Sequence, residues 1–435
     1  MIPLYTTVFL SSLIGSILIG LPIAYALILC GLATAFCMGG SAISPQIMAM
    51  KIMSGTDSVS MMALPFFIVV GELMNRGGLT KRIIAFCDLL VGRVKGSLGY
   101  VTILACLMFA SLVGSAVAST AALGAILIPM MADSGYDRAE SSGLLASANI
   151  VAPIMPPSVP MIIYGATAGV SITNLFIGGI APAVYLTIIM GAVWFVRCRK
   201  PGVCPDKDPN KKKPTPKEAF HIVLDGIWAL LSPIIIIVGL RSGVFTATEA
   251  GVVAVVYALI IGLFVYRELK WKDIVQAFLN GAKTSAVVMF LAAAASYSAY
   301  ILTISRIPQL ITQSLSPLVA HPYLLNFVLQ VIIILMGTCI DVTPTILIMT
   351  PIMLPLLRAA HIDLVYFGIV FTLANVLGLT SPPVGPVLNV ACAAGNVKME
   401  KLIPTVVPYY IWQCILVFLL IFVPALVTVP LGWLT

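Results

Sequence analysis

Two short segments hold polar side chains inside otherwise apolar stretches: Gly-Ser-Ala-Val-Ala-Ser-Thr over 114–120 and Gly-Thr-Cys-Ile-Asp-Val-Thr over 337–343. Each precedes the pattern Asn-x6-Pro-Pro-x-x-Pro, first from Asn149 to Pro160 and again from Asn375 to Pro386. Hydroxyls, an amide and backbone carbonyls freed at a turn are oxygen donors, which small hard cations prefer. The same interior has no His and almost no acid apart from Asp341 and Glu72, so sodium fits better than a proton relay. The expectation is two pseudo-symmetric sodium sites. One comprises Ser115, Ser119 and Thr120 with Asn149, Pro156 and Ser158; the other comprises Gly337, Thr338, Asp341 and Thr343 with Asn375, Thr380 and Pro382. A carboxylated substrate would sit between them near Gly114, Ser158, Gly337 and Pro383, where half-helix N-termini present free N–H groups and a favourable dipole.

These residues also have plain structural uses. Asn149, Asn375 and Asp341 can cap broken helices. Glu72 has Arg76 four residues on, which reads as a structural ion pair near the cytoplasmic surface. His221, His321 and His361 stand at segment ends without forming a cluster, and no Ser/His/Asp set is available, so no catalytic residue is assigned.

The elements that position these groups follow from composition. Of 435 residues 60% are hydrophobic and 9% charged, against roughly 25% charged in soluble domains. At about 20 apolar residues per crossing this supplies on the order of ten spans and leaves no sizeable aqueous domain. Charge is absent from 1–50, 96–132, 141–196, 307–340, 364–397 and 402–435, which are the membrane candidates. Residues 197–217 hold a net +6 of the chain's net +8; with five prolines between two apolar spans, they read as a cytoplasmic loop under the positive-inside rule rather than a nucleic-acid site. The nine cysteines lack paired spacing and read as small apolar side chains. The uncharged N-terminus has no positive leader region and reads as a retained first span.

A stretch of 56 uncharged residues, 141–196, would reach about 84 Å as one helix, too long for a single crossing. Pro153, Pro156, Pro157 and Pro160 break it, because proline lacks the backbone donor and excludes helical geometry before it. Residues 141–172 are therefore two half-helices joined by extended backbone, tolerated at that depth only where it lines a cavity or is buried in protein. Sliding the chain by 226 positions lays Pro129, Asp137, Asn149, Pro156, Pro157, Pro160 and Gly169 onto Pro355, Asp363, Asn375, Pro382, Pro383, Pro386 and Gly395; a three-residue slip adds Gly114, Ser115 and Thr120 on Gly337, Thr338 and Thr343. The amphipathic segment 79–95 is basic, whereas its counterpart 306–320 has only Arg306, so the two copies face opposite sides.

The predicted architecture is an all-α polytopic membrane protein built as an inverted repeat. An N-terminal scaffold span occupies 1–59 and the first repeat 60–196, with a re-entrant hairpin at 97–133 and a broken helix at 141–172. The basic loop covers 197–221 and scaffold spans 222–280. The second repeat, 281–435, has its hairpin at 322–358 and its broken helix at 364–397. Such repeats are how secondary transporters are built, with sites at the bilayer midplane.

Leu64–Leu79, the GSAVAST tip, the run Asn149–Gly165 and the late Asn375–Val390 together resemble the large membrane subunit of tripartite ATP-independent periplasmic (TRAP) transporters, over essentially the whole chain. The resemblance implies an elevator-type fold in the bacterial inner membrane and sodium-driven uptake of an organic acid such as a sugar acid, a dicarboxylate or sialic acid, with no organic cofactor. It implies two protein partners, a small four-helix membrane subunit (DctQ-like) and a periplasmic substrate-binding protein (DctP-like), beside membrane lipid. By the same resemblance the ion-site regions fall on Gly114–Thr120 with Asn149–Ser158 and on Gly337–Thr343 with Asn375–Pro383; the second break reads Pro-Pro-Val where the first reads Pro-Pro-Ser, leaving Thr380 or Ser381 to supply its hydroxyl. A stand-alone anion–sodium symporter or exchanger is the rival within transport, and a channel the rival outside it.

Overall fold

The computed structural model describes residues 2–39, 44–92, 94–205, 215–314 and 316–434. Arg93 of the basic amphipathic segment and Lys207, Lys211, Lys212 and Lys213 of the basic loop lie outside the described residues. Among the described residues all regular elements are helical, and seven helices are long and apolar enough to cross a membrane. The shorter apolar helices are mostly the hairpin arms and half-helices that the proline and glycine pattern predicts. Large apolar side chains such as Leu18, Phe264 and Trp271 are exposed, which suits a lipid surrounding.

The first unit begins with Ile2–Leu18 and Ile23–Met38, which pack on each other. The stretch 1–59 thus holds three helices: Gly20, at φ 85°, and Pro22 end the first, and Pro45–Ser54 is the third. Val59–Arg76 and the amphipathic Leu79–Val91 follow, the latter burying Leu79, Ile83, Ile84 and Cys87. The hairpin is Ser97–Val113 and Ala116–Asp133. The broken helix is Arg138–Ala148, a turn over Asn149–Val151 and Val159–Ala168, followed by Ile172–Arg197.

The second unit repeats this order. Pro216–Arg241 and Ala247–Ile260 lead into Trp271–Ile304, a 34-residue helix in which the expected boundary at 280/281 falls. Shifted by 226, Pro45–Ser54 and Val59–Arg76 cover its two halves, so the second copy has fused what the first splits at Gly55–Ser58. Ile307–Ser314 and a short turn precede the hairpin, Pro322–Gly337 and Val342–Ala359. Leu364–Leu379 and Pro386–Gly395 form the broken helix, Met399–Phe422 crosses, and Ala425–Leu434 ends the described chain. The Pro156–Pro157 and Pro382–Pro383 bonds are both cis, one in each break.

The units exchange contacts in a two-fold pattern. Each hairpin's second arm packs on the other unit's second half-helix: Ala116–Asp133 on Pro386–Gly395, and Val342–Ala359 on Val159–Ala168. Ile172–Arg197 likewise packs on Leu364–Leu379, and Met399–Phe422 on Arg138–Ala148. Even the framing helices cross over, with Ala247–Ile260 against Val59–Arg76 and Ile23–Met38 against Trp271–Ile304. Neither unit can bury its own breaks alone. Backbone polar groups at the breaks are therefore sheltered by protein, as an apolar surrounding demands.

Two polar anchors fix this core. The buried Trp194 indole donates to the Gly96 carbonyl at 2.8 Å and stacks on Tyr136, and Gly99 has no room for a side chain because a Cβ would overlap the indole. Arg197 pairs with Glu140, both side chains nearly buried at 12% and 11% exposure, tying the end of one helix to the start of the broken helix.

Candidate functional site

Each hairpin tip is pressed onto its own unit's break. A Cβ on Gly114, at φ 65°, would lie 3.3 Å from the Pro157 carbonyl and 3.4 Å from the Val159 nitrogen. Gly337 and Gly378 meet backbone to backbone in the second unit: a Cβ on Gly378 would fall 2.7 Å from the Gly337 Cα, and one on Gly337 would collide with the Asn375 carbonyl oxygen. Only glycine permits that approach.

The tips then differ by three residues. Ser115 is the N-cap of the first tip's second arm, its hydroxyl accepting from Ala118 N at 3.4 Å; Asp341 is the N-cap of the other, its Oδ1 accepting from Val342 N at 2.8 Å. The gapless shift of 226 therefore holds beyond the tip, while the slip applies only before it. Asp341 corresponds to Ser115 and Thr345 to Ser119, while Thr343, which the slip laid on Thr120, loses that pairing because Thr120 falls on Ile346. Thr345 is fully buried and donates to the Asp341 carbonyl at 2.9 Å, a residue that the slipped register passes over.

The predicted first-site residues lie on the second hairpin arm and on the break against which it packs. Ser119 and Asn149 are wholly buried, and the Ser119 hydroxyl and the Asn149 Oδ1 have no hydrogen-bond partner; the Asn149 amide donates to the Leu145 carbonyl at 3.2 Å. The second hairpin arm packs on the turn that begins with Asn149. Ser158 caps Val159–Ala168 by accepting from Met161 N and also donates to the Pro153 carbonyl. Pro156 is buried beside it, offering a carbonyl and no donor. The Thr120 hydroxyl is committed to the Ala116 carbonyl at 2.7 Å.

In the second unit Asn375 is wholly buried with neither amide atom partnered. The Thr380 hydroxyl donates to Leu377 O at 3.0 Å and the Thr338 hydroxyl to Leu335 O at 2.8 Å, each closing the last turn of its helix. Pro383 and Val384 are exposed, unlike their buried counterparts Pro157 and Ser158. A buried polar atom left unpaired costs roughly 1–3 kcal/mol, so among the predicted site residues Ser119, Asn149 and Asn375 are where an added ligand contributes most.

Between the tips lies a cavity of about 250 Å³. Gly114, Ser115, Asp341 and Thr343 line one side with Pro153, Val159 and Pro160. Ser119, Thr120, Asn149, Pro156, Ser158, Gly337, Thr338, Asn375, Thr380, Pro382 and Pro383 stand behind this wall or away from it. Ile68, Gly71, Glu72 and Asn75 of Val59–Arg76, with Thr284 and Val288 of Trp271–Ile304, supply the framing-helix side of the lining. Sequence reasoning missed that side, although spacing of three and four residues from Ile68 to Asn75 places them on one helical face. Glu72 does pair with Arg76, at 3.6 Å, and also faces the cavity.

A helical protein with seven helices fit to cross a membrane, two crossed units, two glycine-seated hairpin tips and a cavity between them has the build of a membrane transport component. Comparison with known proteins gives the family. The model of the tripartite ATP-independent periplasmic transporter, DctM component, matches residues 10–426, and the chain belongs to that family. It is 44% identical over 426 residues to the 2,3-diketo-L-gulonate TRAP transporter large permease protein of Escherichia coli (strain K12), covering 98% of this chain and 99% of that one. The sialic acid TRAP transporter large permease protein of Vibrio cholerae is 32% identical over 402 residues, 92% of each chain. Among solved structures, the YdaH transporter of Alcanivorax borkumensis superposes with a TM-score of 0.60 at 15% identity over 89% of each chain, a likeness of fold.

Proposed function

We propose that this chain is the large permease of a sodium-coupled carrier that takes up an organic acid across the bacterial inner membrane. The observation that carries the coupling is the set of buried, unpartnered oxygens of Ser119, Asn149 and Asn375 beside two glycine-seated tips. Sodium at each tip would supply the missing partner and neutralise Asp341 before an anionic substrate arrives. The carboxylate class is supported by family membership and by the half-helix N-terminus that begins at Val159 on the cavity.

The interlocked hairpins and broken helices form one body, and the framing helices Val59–Arg76 and Trp271–Ile304 flank it, with the cavity along the seam. Sliding of that body against its frame is an elevator movement, and ion binding at the tips would license it. A small four-helix membrane subunit would cover the apolar outer helices, and a periplasmic binding protein would deliver substrate.

The test is reconstitution of the chain with its small subunit and matching binding protein in proteoliposomes. Labelled acid should accumulate only under an inward sodium gradient. Equal accumulation with potassium replacing sodium would overturn the coupling; full uptake by this chain alone would overturn the partner assignment.

A further inference from the structure

We infer that Glu72, Asn75 and Thr284 form a hydroxyl-reading wall of the cavity, selecting polyhydroxylated monocarboxylates over dicarboxylates. The inference rests on the proposed transport reading and specifies the substrate class of that same cavity.

Geometry supports it first. Gly71 seats Val59–Arg76 on the first hairpin, since a Cβ there would lie 3.0 Å from the Leu112 carbonyl and 3.4 Å from the Val113 Cα. That contact brings the next residue, Glu72, alongside Gly114 and Ser115 on the cavity surface. Glu72 is held in place: Asn280 Nδ2 donates to its Oε2 at 3.5 Å, and Asn280 Oδ1 accepts from Gln276 Nε2 at 2.9 Å. Arg76 pairs from behind and is not among the cavity-lining residues.

Chemistry supports it next. A carboxylate only accepts. Asn75 Oδ1 already accepts from the Thr80 hydroxyl at 3.4 Å, which leaves its amide N–H groups to donate into the cavity. The Thr284 hydroxyl does either. An acceptor, a donor and a hydroxyl on one wall match a run of ligand hydroxyls, each of which gives one hydrogen bond and takes another. A second ligand carboxylate would instead meet Glu72, and like charges disfavour it.

The internal repeat supplies the third argument. Shifted by 226, Glu72 and Asn75 fall on Ser298 and Ile301. Ser298 is buried, donating to the Leu27 carbonyl, and Ile301 packs in an apolar cluster with Ala35 and Tyr297. The fold is satisfied there without an acid or an amide, so the polar pair at 72 and 75 serves the cavity.

The test uses the large permease with its small subunit in nanodiscs, without binding protein, so that selectivity is the cavity's own. Binding of D-gluconate and of succinate is titrated with sodium and with potassium. Wild type should favour gluconate in sodium. Glu72→Gln should shift the gluconate-to-succinate ratio toward succinate by about tenfold, and Thr284→Val should weaken gluconate about fivefold while leaving succinate within about twofold, the effect of one hydrogen bond. Unchanged ratios in both variants, with sodium-promoted binding intact, overturn the wall and leave the transport reading standing. If no acid binds better in sodium, both fall. Thr284→Val, on an exposed face, decides the matter should Glu72→Gln not fold.

Discussion

Substituting alanine for Gly378 tests whether the seat between the second tip and its break matters to the proposed ion site. A Cβ at 378 would lie 2.7 Å from both the Cα and the carbonyl carbon of Gly337, and would also collide with the Ile334 carbonyl oxygen. All of these are backbone atoms, so no rotamer change relieves them. Ordinary contact begins at 3.4 Å, so the hairpin must move away by at least about 0.7 Å. Overpacking of this kind costs about 1–3 kcal/mol. Cation sites tolerate only about 0.2 Å in ligand distance, so the same displacement should weaken sodium binding by an order of magnitude or more. The assay is the rise in melting temperature of the purified protein with added sodium, beside the sodium dependence of uptake. Gly15→Ala, where an added Cβ meets nothing within 4 Å, is the control and should leave both unchanged. A Gly378→Ala protein that folds and retains wild-type sodium dependence within about twofold would refute the seat's role in ion binding.

Ser119→Ala should reduce sodium affinity about tenfold in the same melting assay, whereas Thr120→Ala should have less than a third of that effect, because the Thr120 hydroxyl is already bonded to Ala116 O; equal effects would contradict the assignment. Glu140→Gln should lower stability by about 3–5 kcal/mol by stranding Arg197, and the double variant with Arg197→Met should recover most of it; a double variant no better than the single would show that the pair is not the unit. Gly99→Ala should abolish detergent-stable expression, since the Trp194 indole fills the space and is anchored to Gly96; normal chromatographic behaviour would refute the packing argument.

Much of the frame was readable because the lipid environment leaves the backbone few choices. Proline at 153, 156, 157 and 160 must interrupt a helix, and the recurrence at 382, 383 and 386 must do so again, wherever the segments end up. Asn149 and Asn375 stood out because an amide repeated at the same distance from a proline pair is rarely accidental, and both proved wholly buried. Elsewhere the chain is less explicit. The stretch 1–59, expected as an N-terminal scaffold span with its number of helices left open because Gly20 and Pro22 are weaker punctuation than a proline cluster, holds three. The slipped register at the second tip misled the pairing of Thr343, because an insertion inside a turn leaves both neighbouring registers locally plausible.

By itself the sequence determined where the chain bends and which segments are copies, because these follow from local chemistry and from period. Tertiary structure alone decided that each hairpin shelters the other unit's half-helix, that Gly337 and Gly378 touch, and that Glu72 and Thr284, more than 200 positions apart, share one cavity. Those outcomes depend on how apolar faces find one another across the molecule, and a face on a helix does not name the face it will meet.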